Sequence, residues 1–280
     1  MTKEILEATT ANGAAIDIAV VDQNLTIQEI YRQLIVPSLG QEIFKVYNQT
    51  GPLAGIFTLD RVGSKVKLLR SDSQVFDSSP INTGISKEAA QDIESQFGMD
   101  ANKIIASLLR GLANDQENTK TIGFLASKAT ARTPVVLSTP NNSKFIVEEI
   151  TQAVAESIME MNKNGFITYK SSVVIPAKFA GSFAIRGEDV TEGSDSSFYM
   201  ARIGHTNYYV NPDTTNTDTI YVLLNDEDRS SGFFSKYTDD IVTAVDPDTG
   251  AENFFIFNRF AITESPKHTI NPMIHSIKVS

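Results

Sequence analysis

Three adjacent acidic residues are the first candidates for chemistry in this chain. Asp226, Glu227 and Asp228 lie in the segment NDEDRSSG. Paired carboxylates can serve as general acid and general base, as in a small hydrolase. The neighbouring serine and glycine residues are also typical of a solvated loop, which needs no catalytic role to explain its acids. Both interpretations stay open at this point.

Two other features of the sequence, an acidic turn and the histidines, are candidates for binding a metal ion. The segment Asp246–Gly250, DPDTG, has the start of a calcium loop but not its later acidic ligands, and it equally predicts a turn. The histidines, His205, His268 and His275, lack a second ligand at metal-site spacing. Glycine-rich phosphate loops and the G-x-S-x-G frame are missing as well. The sequence therefore predicts no catalytic, cofactor or metal site.

Composition narrows the class of protein. The 280 residues carry a formal net charge of −10, which argues against a basic surface for nucleic acid or for an anionic membrane. The chain has no cysteine, which excludes disulfides and thiol chemistry. Hydrophobic residues make up 41% of the chain, enough for a sizeable core. We find no secretory signal pattern and no apolar run of membrane-spanning length.

The first half of the chain predicts an arm, helices and an exposed hairpin. Residues 1–25 show no strong period and predict an extended arm. Helices are predicted from Thr26 to Pro37 and from Ser86 to Gly98, and two strand-like runs flank the turn at residues 50–52. Between them, residues 61–76 alternate apolar and basic residues, which favours a solvent-exposed hairpin. Its basic residues are Arg61, Lys65, Lys67 and Arg70.

Two long helices and a series of strands follow. The helix capped by Asp100 carries an apolar stripe at helical spacing over residues 104–112, and a third stripe follows residue 143. That third stripe comprises Phe145, Ile146, Ile150, Val154 and Ile158. The Pro- and Thr-rich residues 129–142 predict a domain boundary. Strands are predicted in FITYKSSVVIP, TNYYVNP, DTIYVLLN, GFFSKYT and NFFIFNRFAI, with the last two completing the sheet. This order predicts an α+β or α/β architecture.

Seven aromatic residues lie between Ser230 and Phe260, including the pairs Phe233-Phe234 and Phe254-Phe255. Such a density fits either an enzyme site or a packed structural hairpin. Arg259 lies inside the aromatic strand, where an unpaired charge would be costly. We therefore expect a carboxylate or backbone carbonyls to hold it.

The segment GFFSKYTDDIVTAVDPDTGAENFFIFNRFAITESP resembles the C-terminal signature of T-even-type tailed-phage capsid proteins, which comprise the major head protein and its vertex paralogue. The matching positions are Gly232, Phe233, Phe234, Tyr237, Asp246 to Thr249, Arg259 and Pro266. Lys236 stands where the family usually has proline, and Phe260 where it has tyrosine. YRQLIVPSLGQEIFKVYNQTGPLAGIFTL resembles the family's N-terminal segment, and matches continue in the same order from about residue 27 to 266.

The resemblance implies the Hong Kong 97 phage capsid fold, an α+β fold with an N-terminal arm, an extended loop, a peripheral domain with a long spine helix, and an axial domain. The implied divisions are 1–25 for the arm, 26–57 for the first peripheral part, 58–82 for the extended loop, 83–130 for the peripheral domain with its spine helix, 131–258 for the axial domain and 259–280 for a return to the peripheral domain.

The implied function is structural and not enzymatic: a major capsid protein whose hexamers and pentamers form an icosahedral head in the virion. The expected partners are further copies of the chain, and scaffold, portal, maturation protease and decoration proteins, with enclosed DNA that is not bound specifically. A pentameric vertex protein is the alternative within the family. A small α+β hydrolase acting through Asp226 to Asp228 is the alternative from another class, and a binding module or tail protein is a third.

The positions of basic and acidic residues also predict which surfaces of two subunits would be in contact. The basic hairpin, defined here by Arg61, Lys65, Lys67 and Arg70, would reach a neighbouring subunit that covers its apolar side and neutralises its charge. The acidic residues Asp226, Glu227 and Asp228 are candidate partners on that neighbour.

The segment Ile5–Ala8, ILEA, resembles the apolar-X-Glu sites that maturation proteases of this family cut, here after Glu7. We predict that the protein in mature particles begins at Ala8. Intact-mass measurement of particle protein checks this, and a mass that includes residues 2–7 would contradict it.

Overall fold

The computed structural model describes the backbone of most of the chain. The described residues are 7–9, 15–17, 38–49, 57–62, 65–70, 77–85, 91, 95, 101–140, 142–163, 170–186, 198–226, 229–237, 241–245, 247, 252–265 and 272–280. The predicted helix over residues 26–37 lies outside them. Of the helix predicted from Ser86 to Gly98, Gln91 and Ser95 are described, and both are helical.

Besides the helical residues Gln91 and Ser95, the described structure contains four helices with defined bounds and sixteen strands. The helices are α1 (Leu39–Ile43), α2 (Ala101–Lys128), α3 (Ser143–Lys163) and α4 (Ala180–Arg186), the last preceded by the 3-10 turn Ala177–Phe179. The strands before α2 are β1 (Glu7–Thr9), β2 (Ala15–Asp17), β3 (Lys45–Gln49), β4 (Phe57–Val62), β5 (Lys65–Arg70) and β6 (Asp77–Ile85). The strands after it are β7 (Thr130–Ala131), β8 (Ser171–Ile175), β9 (Tyr199–Ile203), β10 (Thr206–Val210), β11 (Thr219–Asp226), β12 (Arg229–Ser230), β13 (Gly232–Tyr237), β14 (Ile241–Val245), β15 (Glu252–Glu264) and β16 (Ile274–Lys278).

The strands form two large sheets and one separate hairpin. Sheet 1 has the order β2-β1-β6-β15-β13-β3, with β14 paired to part of β15. Sheet 2 has the order β7-β16-β11-β8-β10-β9, with β12 paired to β11. Strands β4 and β5 pair with each other as a two-stranded sheet.

Sheet 2 is covered on both faces, because its side chains alternate between two cores. Val173 and Ile175 of β8 face a core formed with α3 and α4, while Val174 between them faces the opposite core. In β11, Val222 packs with the first core and Leu223 with the second. This double burial explains why SSVVI and TIYVLLN are almost continuously apolar.

Helix α2 lies against both sheets. Ile105 and Leu109 in its first half pack with Phe254 of sheet 1. Ile122 and Leu125 in its last turns belong to the core that contains residues of both sheets. Helix α2 continues to Lys128, well beyond the apolar stripe at residues 104–112 that predicted it. Thr119, Thr121 and Gly123 have low intrinsic helix propensity, and burial of the later apolar residues outweighs it.

Helix α3 was predicted correctly, but one residue of its predicted apolar stripe is not buried. Ile146, Ile150, Val154 and Ile158 are buried against sheet 2. Phe145 is 43% exposed, because it lies one helical step away from the line of the buried positions.

The predicted sheet membership of the last strands was wrong. GFFSKYT and NFFIFNRFAI form β13 and β15, which belong to sheet 1 and pair with β3 and β6. Strand β16 instead returns to sheet 2 beside β11. The strand pairing therefore crosses the predicted boundary between residues 258 and 259. Strand β6 also places residues 77–82 in sheet 1, next to β15, and not in the hairpin predicted over residues 58–82.

Within the described residues, none of the helices is long and apolar enough to cross a membrane.

Two glycines provide a matched test of packing around α2. A Cβ atom at Gly40 of α1 would lie 2.5 Å from Thr121 Oγ1 and 2.8 Å from Phe234 Cδ2. A Cβ atom at Gly123 of α2 would meet no atom within 4 Å. We predict that Gly40→Ala lowers the free energy of unfolding by about 1–3 kcal/mol through overpacking. Gly123→Ala should raise it by about 1 kcal/mol, because alanine favours a helix interior.

Urea unfolding of the two variants beside the wild type measures both changes. Equal midpoints for Gly40→Ala and the wild type would contradict the close packing of α1 on α2.

Candidate functional site

The acidic triplet lies at the end of a strand. Asp226 is the last residue of β11 and pairs across the turn with Arg229 of β12. Glu227 and Asp228 lie between the two strands and outside the described residues. The preceding Asn225 has a structural contact, because its Nδ2 donates to the Ile43 carbonyl at 2.7 Å. Of the triplet, the described backbone therefore places only Asp226, at the end of a paired strand.

The histidines are divided between surface and core. His205 is exposed at the turn between β9 and β10, and His268 lies outside the described residues. His275 is 3% exposed, and its Nδ1 lies 2.7 Å from the hydroxyl oxygen of Ser157, itself 2% exposed. A buried serine–histidine contact of this kind links α3 to β16 and offers no approach for a substrate. Across the described part of the chain, no cluster of three acidic or histidine residues could hold a metal ion.

The aromatic segment forms packed strands of sheet 1. Phe234 is fully buried and its ring stacks on Phe260, with centroids 5.7 Å apart and planes at 12°. Phe233 is 3% exposed and meets Tyr47 of β3 edge to face at 5.5 Å. Phe254 is also buried. Of the two interpretations of this segment, the packed structural hairpin is correct for these residues.

Arg259 and Tyr237 occupy neighbouring strands. They are register partners in β15 and β13, and Arg259 is half-buried. The expectation that a carboxylate or backbone carbonyls hold the guanidinium stays a prediction.

The basic hairpin exists as a hairpin but starts earlier than predicted. Strand β4 runs from Phe57 to Val62, and β5 runs from Lys65 to Arg70. Arg61 is the register partner of Val66, and Lys67 is the partner of Asp60. The predicted separation into an apolar and a charged side was wrong in one respect. Since alternate positions of a strand share a face, position 70 shares the face of Val66 and Leu68, not that of the lysines.

A buried carboxylate joins the elements around α2. Glu117 is fully buried, and its Oε2 accepts hydrogen bonds from Ser38 Oγ at 2.5 Å and from Gln41 Nε2 at 2.9 Å. Its Oε1 accepts from the Lys236 ammonium at 2.9 Å. Next to it, Asn118 Oδ1 accepts from the Leu39 amide at 2.8 Å and so caps α1. These contacts connect α1, α2 and β13.

Glu117 was not among the residues predicted to be functional, although its position on the apolar stripe of α2 indicated that it is buried. Ile105, Leu109 and Ala113 are buried at intervals of four residues, and Glu117 continues the same line. A charged residue on a buried helical stripe needs a partner, since burying an unpaired carboxylate is very costly. Lys236 had been noticed for a different reason, as a departure from the family's proline.

A double-mutant cycle tests the Glu117–Lys236 contact. Removing one partner of a buried ion pair costs about 3–5 kcal/mol, because the other charge stays buried. Glu117→Gln and Lys236→Met should each lower the free energy of unfolding by an amount near the lower end of that range. The double variant should lose much less free energy of unfolding than the sum of the two single losses.

The exposed pair Lys128–Glu264, 2.5 Å apart, serves as control; Lys128→Met should cost less than about 1 kcal/mol. If the losses of unfolding free energy from Glu117→Gln and Lys236→Met are additive, the two side chains do not stabilise the fold through their contact.

Comparison with known proteins gives the fold of the whole chain. No family model matches the sequence, and no curated protein matches it. Among solved structures, the virus-like particle from Pyrococcus furiosus is 12% identical and has a TM-score of 0.56, covering 90% of this chain and 98% of its own. The capsid of Ralstonia phage GP4 is 9% identical with a TM-score of 0.57, covering 95% and 98%. The capsid of a native GTA particle is 10% identical with a TM-score of 0.55, covering 95% of each chain.

These neighbours share architecture over nearly the full length of both chains while sequence identity stays near one residue in ten. The chain therefore has the Hong Kong 97 fold of phage capsid proteins, as its sequence predicted.

Proposed function

We propose that this chain is the major capsid protein of a tailed double-stranded DNA phage, a structural subunit that self-assembles into an icosahedral head. The observation that supports it most strongly is end-to-end similarity to capsid subunits, which reaches 95% of this chain and 98% of the Ralstonia phage GP4 capsid chain. A subunit matched over its whole length has little chain left for a different function.

The described residues favour a structural role over the hydrolase. The aromatic segment is packed in sheet 1, and the Ser157–His275 contact is buried in the core. Asp226 ends a strand and pairs with Arg229, and the described residues contain no group of three acids or histidines that could hold a metal ion. We therefore assign no catalytic residue and no cofactor to this chain.

Within the capsid proteins, we propose that the chain is a distant member of the T-even-type group. The support is the collinear series of motifs from about residue 27 to 266, including Gly232, Phe233, Phe234 and Arg259. Ring size distinguishes the two kinds of subunit within this group. Rings of six would identify the major head subunit, and rings of five alone would identify the vertex protein.

The parts of the fold receive proposed roles. Sheet 2 with α3 and α4 is the axial domain, and sheet 1 with α2, the spine helix, is the peripheral domain. The basic hairpin is the extended loop, and residues 1–25 are the N-terminal arm, whose strands β1 and β2 extend sheet 1 beyond β6. This division follows the strand pairing and replaces a boundary at residue 258, since β13 to β15 belong with the peripheral domain and β16 with the axial one.

Charge fits the proposed environment. A subunit with a net charge of −10 presents little attraction for the phosphates of the packaged genome, so DNA is enclosed without specific binding. We place the protein in the virion capsid after assembly in the host cytoplasm. Its proposed partners are further copies of itself, with scaffold, portal, maturation protease and decoration proteins.

Size measurement of purified protein tests the proposal. Light scattering and negative-stain electron microscopy should find rings of five or six subunits, or closed shells. A monomer that stays monomeric under all assembly conditions and hydrolyses model esters or peptides would overturn it.

Replacement of Lys65, Lys67 and Arg70 by glutamate tests the hairpin as the intersubunit element. The hairpin is a separate two-stranded sheet, and such a unit is marginally stable alone. The variant should keep the wild-type circular dichroism spectrum and lose ring formation. Assembly of the wild type should also weaken with salt, because exposed charges are screened within about 10 Å at 0.1 M.

The matched control replaces three exposed lysines elsewhere by glutamate. These are Lys144, Lys178 and Lys278, and the control should assemble like the wild type. If the hairpin variant and the control assemble equally well, the hairpin is not the intersubunit loop.

A further inference from the structure

A buried polar contact joins helix α3 to the last strand of sheet 2. Nδ1 of His275 on β16 lies 2.7 Å from Oγ of Ser157 on α3, and the two residues are 3% and 2% exposed. The residues around them are apolar: Val154 and Ile158 of α3 are buried in the same core as Val222, the register partner of His275 on β11. The pair is therefore a polar contact inside an apolar core.

Of the two elements that meet here, β16 is the more firmly held. It pairs with β11 along one edge and with β7 along the other, and just beyond its end the amide of Val279 donates to the Asp218 carbonyl at 2.7 Å. Helix α3 satisfies its backbone internally, so side chains attach it to sheet 2. Beside the apolar packing, these include the Ser157–His275 contact and the ion pair of Glu160 with Arg132. A change at the histidine therefore displaces α3 before it displaces β16.

The imidazole of His275 brings pH dependence to this contact. An ordinary histidine takes up a proton at about pH 6.5. A proton on His275 would place a charge at a position that is 3% exposed, and burying a charge is costly. In the tautomer in which the Ser157 hydroxyl donates to Nδ1, the added proton also displaces that hydrogen bond, because both nitrogens of an imidazolium are donors.

The described charged groups on the surrounding elements are paired, exposed or of the same sign as an imidazolium. On α3, Glu160 is paired with Arg132, and Glu156 is exposed and accepts from Gln152. On β16, Lys278 is exposed and positive. The residues of β11 and β7 that pair with β16 are uncharged, and α2 packs against the opposite face of β16.

We propose that the Ser157–His275 contact is an acid-sensitive switch, which holds α3 on β16 at neutral pH and releases α3 when His275 is protonated. Release would expose the apolar stripe of α3, which comprises Ile146, Ile150, Val154 and Ile158. The switch is a property of the single subunit, so it goes beyond the proposed function and is tested independently of assembly.

The direction of the effect follows from proton linkage. The open form binds a proton at the ordinary pH of about 6.5, whereas the closed form resists it. Opening is therefore favoured as the pH falls, by up to about tenfold in the opening constant for each pH unit below 6.5. The stabilisation is fully present above about pH 7 and is lost toward about pH 5. Ordinary carboxylates titrate near pH 4, so this window separates the histidine from them.

Hydrogen–deuterium exchange with mass spectrometry measures the opening of α3 in the purified subunit. Protection of α3 peptides, corrected for intrinsic exchange rates, should be at least about tenfold lower at about pH 5 than at about pH 7.5. In His275→Leu, which cannot be protonated, protection should be the same at both pH values. His205→Gln, at an exposed turn, is the matched control and should behave like the wild type.

A second variant keeps the test decisive where His275→Leu does not fold. His275→Gln retains a hydrogen-bonding group at this position and cannot be protonated, so it should also remove the pH dependence of α3. The chain has only three histidines, and His268→Gln completes the set of controls. Equal protection of α3 at both pH values in the wild type overturns the proposal, as does an unchanged loss of protection in the folded His275 variant.

Discussion

The buried carboxylate of Glu117 is the constraint on which the arrangement of α1, α2 and sheet 1 depends. It lies within α2 at a position where the surrounding stripe is apolar. Its donors come from two other elements: Ser38 and Gln41 at the start of α1, and Lys236 on β13. An ion pair inside a protein recovers its desolvation cost only when geometry and further hydrogen bonds are good. A displacement of α1 or β13 would leave this carboxylate uncompensated, so the three elements hold one relative position. The close approach of Gly40 to Thr121 and Phe234 acts in the same sense, because α1 has no room to move toward α2.

The apolar contacts around this carboxylate connect the rest of the fold. One core contains Phe234 and Phe260 of sheet 1, Leu125 of α2 and Leu223 of sheet 2. Sheet 1 and sheet 2 therefore do not have fully separate cores, and their junction is apolar next to the polar contacts of Glu117. A polar group of this type contributes less to net stability than to fixing one arrangement, because apolar packing alone tolerates several. In the proposed shell this matters, since a small change in angle between the two sheets would be repeated in every copy.

The sequence predicted local structure better than it predicted strand pairing. The helical stripe of α3 and the runs SSVVI and DTIYVLLN were assigned correctly because periodicity and β-branched residues are local signals. The resemblance of the GFFSKY and NFFIFNRF segments indicated the fold, although their assignment to one sheet with the preceding strands was wrong. Pairing between β15 and β6 joins residues some 170 positions apart, and no local pattern specifies such a partner. The cavity lined by Asp115 and Asp213 could not be predicted for the same reason, because only the packing of α2 beside the β10–β11 loop places these two residues around one space. Glu117 was the exception, since its place on the buried stripe was visible in the sequence.

Under the proposed function, the distribution of charge explains how free subunits can stay apart and still assemble into rings. The net charge of −10 makes two free subunits repel each other at long range. Four of the 24 basic residues are concentrated between Phe57 and Arg70, with a single acid among them, so the remainder of the subunit is more acidic than the total. Each exposed ion pair contributes only about 0.2–1 kcal/mol, which is too little to hold two subunits together alone. A closed ring repeats the contact at every interface and binds each subunit at two sides, so weak pairs suffice there while an open dimer stays unstable. Basic charge on the hairpin, separate from the body of the subunit, thus favours closed rings over indiscriminate association.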